Sequence, residues 1–154
     1  MPKDRAGVIA PPPLIYLSGI LIGLALNRWW RPCPIFPVAT WRWSGLVLVL
    51  AGVALIIAGR RAMLAAQTNI NPFKPTTSIV SSGPFGFTRN PLYVSMILIY
   101  LGLTLVANTW WSLPLLVPVL LLIHFGVVLR EERYLERKFG DSYREYRARV
   151  GRYL

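Results

Sequence analysis

Between Asp4 and Glu131 the chain carries no carboxylate, and its long apolar runs are joined by connectors whose only charges are basic. A soluble domain spreads both signs of charge over its surface. A run of this length without one acid leaves no such surface to hydrate. About twenty apolar residues cross the hydrocarbon core of a bilayer, and several of these runs approach that length. With 154 residues, 55% of them hydrophobic, and a net charge of +11, the expected fold is an all-α integral membrane protein built as a single domain.

The apolar runs predict about four transmembrane helices, at 14–30, 43–61, 91–107 and 110–129, followed by a C-terminal amphipathic helix over 130–150. Pro11-Pro12-Pro13 precedes the first span, and Trp29 and Trp30 supply an interfacial belt at its end. No small-residue cleavage site follows that span, so it reads as part of the protein rather than as a removed leader. The Pro-rich connector from Arg31 to Thr40 holds Cys33, the only cysteine, which excludes an intrachain disulfide and a multi-cysteine metal site. Trp41 and Trp43 open the second span, and Arg60-Arg61 can snorkel at its far end. The uncharged Asn108-Thr109 turn makes spans three and four a tight helical hairpin. Pro114 and Pro118 should bend the fourth span, since each removes a backbone donor.

Basic residues orient the array. Lys3 and Arg5 precede the first span, Arg60, Arg61, Lys74 and Arg89 occupy the second connector, and Arg130 onward fills the tail. Positive charge favours the cytoplasmic side, so the protein is expected to be multi-pass with both termini cytoplasmic; Arg28, Arg31 and Arg42 on the first connector dissent. No basic run with interleaved aromatics stands apart from the membrane flanks, so membrane lipids are expected partners and nucleic acid is not. In the tail, Leu135, Phe139, Tyr143, Tyr146 and Val150 recur at helical spacing opposite a charged face. Gly140 interrupts that helix, and Ser142-x-x-Glu145 is a capping-box pattern that restarts it. Such a tail either lies on anionic lipid or folds over the second connector and closes a pocket.

The connector from Ala65 to Asn90 is the longest non-apolar stretch, and a loop of this length in a small protein is usually functional. It ends in Gly83-Pro84-Phe85-Gly86-Phe87-Thr88-Arg89-Asn90-Pro91-Leu92-Tyr93, a dense cluster of turn formers, aromatics and polar groups. Asn90 is a good N-cap and Pro91 suits a first helical position, so a helix should start here and present its unpaired N–H groups to an anion.

The segment Thr77-Ser78-Ile79-Val80-Ser81-Ser82-Gly83-Pro84-Phe85, followed by Arg89-Asn90-Pro91-Leu92-Tyr93, resembles the cofactor signature of the isoprenylcysteine carboxyl methyltransferase family. That family reads His-x-Leu-Val-Thr-x-Gly-x-Tyr and then Arg-His-Pro-x-Tyr at the same spacing. Glu131-Glu132 with Leu135, Phe139-Gly140 and Tyr143-x-x-Tyr146 resembles its C-terminal element. Thr77, Phe85 and Asn90 depart from the pattern, standing where the family has His, Tyr and His. Related membrane methyltransferases that act on phospholipid amines or small thiols share the layout.

The resemblance implies S-adenosylmethionine as cofactor, in a pocket on the cytoplasmic side. It implies cofactor contacts at Thr77, Ser78, Ile79, Val80, Gly83, Phe85, Asn90, Pro91, Leu92, Tyr93 and Glu132, with Glu131 the alternative if the register slips by one. Adjacent helical residues point about 100° apart, so only one of the two glutamates is expected to face a given wall of the pocket. The implied acceptor is lipophilic and arrives from the bilayer, as an isoprenylcysteine-like molecule, a phospholipid amine or a thiol. Family members that hold a prenylcysteine carboxylate place an Arg one turn before the glutamate, where this chain has Val127 or Val128. Arg89 and His124 are the candidate catalytic residues, Arg89 as a cation for a substrate carboxylate. His124, the only histidine, falls inside the fourth span; it either accepts a proton from an amine or thiol or hydrogen-bonds between helices. No set of ligands for a metal is expected. A membrane reductase of the sterol reductase type using NADPH, and a non-enzymatic membrane scaffold, remain alternatives.

Overall fold

Proline sets where two of the helices begin. A computed structural model of the protein describes residues 6–37, 39–71 and 73–153, so Lys3, Arg5 and Pro72 lie outside the described residues. Helix α1 spans Pro12–Trp29 and α3 spans Pro91–Ala107, each with Pro in its first turn, where the missing N–H costs nothing. Helix α2 runs over Arg42–Ala65 and α4 over Ser112–Ile123. A π-helical turn at His124–Val128 carries α4 into α5, Leu129–Phe139, as one unbroken helix from Ser112 to Phe139. The departure from α geometry thus falls after Pro114 and Pro118 rather than at them. Gly140, at φ +54°, ends α5, and α6 follows at Asp141–Arg149. Ser142 lies inside α6 and no side chain caps it, so the expected capping box does not form; the positive φ of Gly140 makes the break instead.

Two antiparallel pairs build the bundle, and small residues allow each to close. Gly45, Gly52 and Gly59 recur every seven residues along α2 and form one stripe against α3. A Cβ at Gly45 would stand 2.6 Å from the carbonyl oxygen of Gly102, and one at Gly52 2.8 Å from that of Ser95. On α1, Gly19 faces Val119 and Gly23 faces Ser112 of α4. The core between α1, α3 and α4 holds Ile15, Tyr16, Ile20, Tyr93, Tyr100, Val119 and Ile123, with the Tyr100 hydroxyl donating to the Ser112 carbonyl at 2.7 Å.

Among the described residues, two helices, Arg42–Ala65 and Ser112–Phe139, are long and apolar enough to cross a membrane; Pro91–Ala107 is apolar but shorter. Their outer faces stay apolar, with Val47, Leu50, Leu121, Leu122 and Phe125 exposed. One end of the bundle gathers the start of α1, the end of α2, the start of α3 and the whole of α5 and α6. The other end is tied by Asn108, which closes the α3–α4 turn at φ +50° and binds the first connector through the N–H groups of Ile35 and Phe36, each at 3.0 Å.

Candidate functional site

The site is built where the second connector meets α3. A residue before proline is pushed out of the α region, and Asn90 sits at φ −128°, ψ 50°. Its side chain does not cap the helix as expected. Its Nδ2 donates to the carbonyl of Arg152 at 3.0 Å, and its backbone N–H donates to Thr88 Oγ1 at 3.2 Å. Thr88 Oγ1 donates in turn to the same Arg152 carbonyl at 3.1 Å, and the Arg89 N–H donates to the Gly151 carbonyl at 2.9 Å. The strand of tail after α6 therefore lies along residues 88–90 and fixes the connector's last turn.

That course brings three charges together. Glu132 is buried and receives Arg89 Nη1 at 3.1 Å, while Arg152 grips it with two bonds at 2.9 and 2.8 Å. The side chains of Arg89 and Glu132 are 8% and 9% exposed, so this is an interior charge cluster with one net positive charge. Glu131, the adjacent residue, accepts the Tyr93 hydroxyl at 2.9 Å to each oxygen. The hydrogen bond to Glu132 raises Arg152 above the usual guanidinium value despite some desolvation. Burial raises Tyr143 and pushes Tyr146 up to about 12, so both stay neutral hydroxyls at physiological pH. Tyr146 donates to the Phe85 carbonyl at 2.8 Å and so pins the Gly83–Gly86 3₁₀ turn under α6.

These groups surround a cavity of about 280 Å³. Ser78, Ile79, Val80, Phe85, Arg89, Asn90, Pro91, Leu92, Tyr93, Glu131 and Glu132 line it, joined by Thr68, Tyr134, Leu135, Tyr143 and Tyr146. Both glutamates reach it, on different walls. The cavity wraps the first turn of α5, so side chains 100° apart meet different walls: Glu131 the α3 side and Glu132 the connector and tail. Thr77, Gly83 and His124 lie outside it. Thr77 donates its hydroxyl to the Gln67 carbonyl at 2.7 Å, and Gly83 opens the 3₁₀ turn with φ +58°. His124 faces a different cavity with Tyr153. Val127 and Val128, where an Arg was weighed, are fully buried in the core. One buried donor of the site, Arg89 Nε, has no hydrogen-bond partner.

Arg152 carries no local sequence signal, because one arginine near the end of a basic tail looks like its neighbours. Tyr143 and Tyr146 were marked by their helical spacing, which announced a buried face but not which wall it would form.

The profile of the family described as phospholipid methyltransferase matches residues 40–142. An uncharacterized protein of Haemophilus influenzae is 42% identical over 64 residues, which are all of its length and 41% of this chain. The cobalt-zinc-cadmium resistance protein CzcN of Cupriavidus metallidurans is 32% identical over 116 residues, covering 71% of this chain and 51% of its own length. This chain therefore spans about half of CzcN. No solved structure matches it. Since the family profile runs from the start of α2 through the connector, both glutamates and the break at Gly140, the chain belongs to the phospholipid methyltransferase family.

Proposed function

We propose that the protein transfers a methyl group from S-adenosylmethionine to a lipophilic or membrane-associated acceptor, as a four-span enzyme with its first cavity facing the cytoplasm. The observation that carries this reading is the division of charge within the cavity. Arg89 and Arg152 over Glu132 leave one region net positive, whereas the next wall carries no cation and presents the carboxyl oxygens of Glu131, held by the Tyr93 hydroxyl. S-adenosylmethionine needs both: a cation for its carboxylate, and a carboxylate for its ammonium or ribose hydroxyls. The unpartnered Arg89 Nε fits the same reading, because a buried donor without an acceptor costs about 1–3 kcal/mol and a carboxylate there removes the cost.

Bound in the cavity, the cofactor supplies a methyl group activated on a sulfonium sulfur, whose in-line displacement depends chiefly on proximity and alignment. Arg89 binds the carboxylate end, with Glu132 holding the guanidinium in place. Glu131, aimed by Tyr93, accepts hydrogen bonds from the polar end. Phe85, Tyr143 and Tyr146 offer aromatic walls, and Ile79, Val80 and Leu135 exclude water.

A ligand that binds only the folded state raises its melting temperature by mass action. Purified protein in detergent should be stabilised by S-adenosylmethionine and by S-adenosylhomocysteine, and not by reduced nicotinamide dinucleotides. Stabilisation by the nicotinamide alone would transfer the assignment to a reductase, and stabilisation by none of them to a scaffold.

A further inference from the structure

A second cavity, of about 290 Å³, is lined by Tyr16, Ile97, Leu120, Ile123, His124 and Tyr153, among others. Helix register places it relative to the first. Tyr16 lies one turn along α1 from Pro12 and Pro13, and Ile97 one turn along α3 from Tyr93, and Pro12, Pro13 and Tyr93 line the first cavity. The two cavities therefore share faces of α1 and α3 and are offset along the bundle by roughly one helical turn, about 5 Å.

Its chemistry differs from that of the first. No Asp, Glu, Lys or Arg is among its lining residues. Its polar groups are the His124 imidazole, whose Nδ1 lies 2.8 Å from the Tyr153 hydroxyl, and the Tyr16 hydroxyl, which is buried without a hydrogen-bond partner on a residue 6% exposed. Leu121, which also lines it, and Phe125 beside it are 53% and 60% exposed, so the cavity opens on the apolar outer face of the bundle. The π-turn begins at His124, and such turns recur at functional sites.

Resting on the methyl-transfer reading, we infer that this second cavity holds the reactive end of a lipophilic amine or thiol and that His124 takes the proton it loses. In the tautomer whose Nδ1–H donates to the Tyr153 hydroxyl, Nε2 presents its lone pair. An ammonium or thiol delivers its proton to Nε2, which frees a lone pair on nitrogen or sulfur. That pair forms the new bond to the methyl carbon as the carbon–sulfonium bond breaks, and the bonding electrons remain on the departing sulfur. With an ammonium, the methylated amine carries one positive charge away and the His124 imidazolium keeps the other; with a thiol, the product leaves neutral and the single charge stays on the imidazolium. The Tyr16 hydroxyl has a free donor for a further lone pair on a thiolate sulfur, or for a polar group beside an amine. A carboxylate nucleophile needs no base, and an apolar cavity without a cation charges heavily for burying it.

The groups facing His124 are Tyr16 from α1, Tyr153 from the tail and the ring of Phe125 on its own helix. Because His124 is the only histidine, labelled imidazole nitrogen in the full chain gives one unambiguous set of resonances. In phosphatidylcholine nanodiscs without cofactor, hexadecylamine or hexadecanethiol should shift those resonances, whichever moves them naming the nucleophile. Tyr16→Phe should weaken the shift, and hexadecanoate should leave them unmoved. With S-adenosylmethionine added, His124→Gln should keep the thermal stabilisation by cofactor, lose about a hundredfold in methyl transfer, and abolish the rise in rate as the imidazole deprotonates. If neither amine nor thiol moves the resonances, if hexadecanoate moves them equally, or if His124→Gln transfers methyl at the wild-type rate, the inference is wrong. Absence of any cofactor stabilisation would instead overturn the reading of the first cavity, while the resonance shifts would still decide the second.

Discussion

Glu132 and Arg89 illustrate why two neighbouring carboxylates in one cavity do different work. Removing one partner of a buried ion pair leaves the other uncompensated, at a cost of about 3–5 kcal/mol. Glu132→Gln strands the Arg89 guanidinium, whose side chain is 8% exposed, so it should lower the melting temperature strongly as well as weaken cofactor. Arg152→Gln should cost only about 1 kcal/mol, because the Arg152 side chain is 31% exposed and Arg89 still neutralises Glu132. A melting curve that ranks the two variants the other way would deny that Arg89 depends on Glu132. Glu131 is tested separately through Tyr93→Phe, which removes the hydroxyl that aims the carboxylate at 2.9 Å. A lost charge-assisted hydrogen bond is worth roughly 1.5–3 kcal/mol, so cofactor affinity should fall about tenfold or more by calorimetry. The existence of this pair of carboxylates was legible in the sequence, since they are the first acids after a long acid-free run. Their partners were not. Arg152 is twenty residues from Glu132, on a segment with no periodicity to place it.

The helices themselves were largely written in their apolar runs, and Pro91 marked the start of α3, whereas α1 begins at Pro12, two residues ahead of the expected span. What the runs did not reveal is how tightly the helices approach. The seven-residue spacing of Gly45, Gly52 and Gly59 is visible in the sequence, but its meaning depends on what stands opposite. At Gly45 the opposing atoms are backbone, the Gly102 oxygen at 2.6 Å and the Val106 nitrogen at 2.8 Å from a built Cβ. At Gly59 the nearest atom is the Leu92 Cδ2 at 3.0 Å, the end of a flexible side chain. Gly45→Ala should therefore force α2 from α3 and destabilise by about 1–3 kcal/mol, whereas Gly59→Ala should be tolerated. Equal melting temperatures for the two variants would mean that the helices slide past the obstruction. The tail was the least legible element. Its last turn is fixed by backbone carbonyls of Gly151 and Arg152 meeting Thr88, Arg89 and Asn90, and backbone atoms leave no residue-specific mark in a sequence.

At the scale of the whole molecule, the two ends of the bundle differ in kind. All six tryptophans, at positions 29, 30, 41, 43, 110 and 111, collect at the end opposite the first cavity, where Trp30 stacks on Trp111 at 5.0 Å between ring centroids. Tryptophan prefers the membrane interface, so the proposed four-span reading sets one boundary of the bilayer at this end. Of the described basic residues, Arg28, Arg31 and Arg42 share that end, while Arg60, Arg61, Lys74, Arg89 and those of α5, α6 and the tail lie at the cavity end. Positive charge favours the cytoplasmic side, so the proposed four-span reading predicts that the cavity end faces inward. The chain carries its own reporter for this orientation. Cys33, its only cysteine, lies in the tryptophan-end connector, half-buried, with its N–H on Asn27 Oδ1 at 2.9 Å. A membrane-impermeant maleimide should label Cys33 in right-side-out vesicles. In a Cys33→Ser background, Asn71→Cys places the thiol on the exposed second connector and should react only in inverted vesicles. The opposite pattern would turn the cavity away from the cytoplasm, and labelling of both positions from one face would mean that α2 does not cross the membrane.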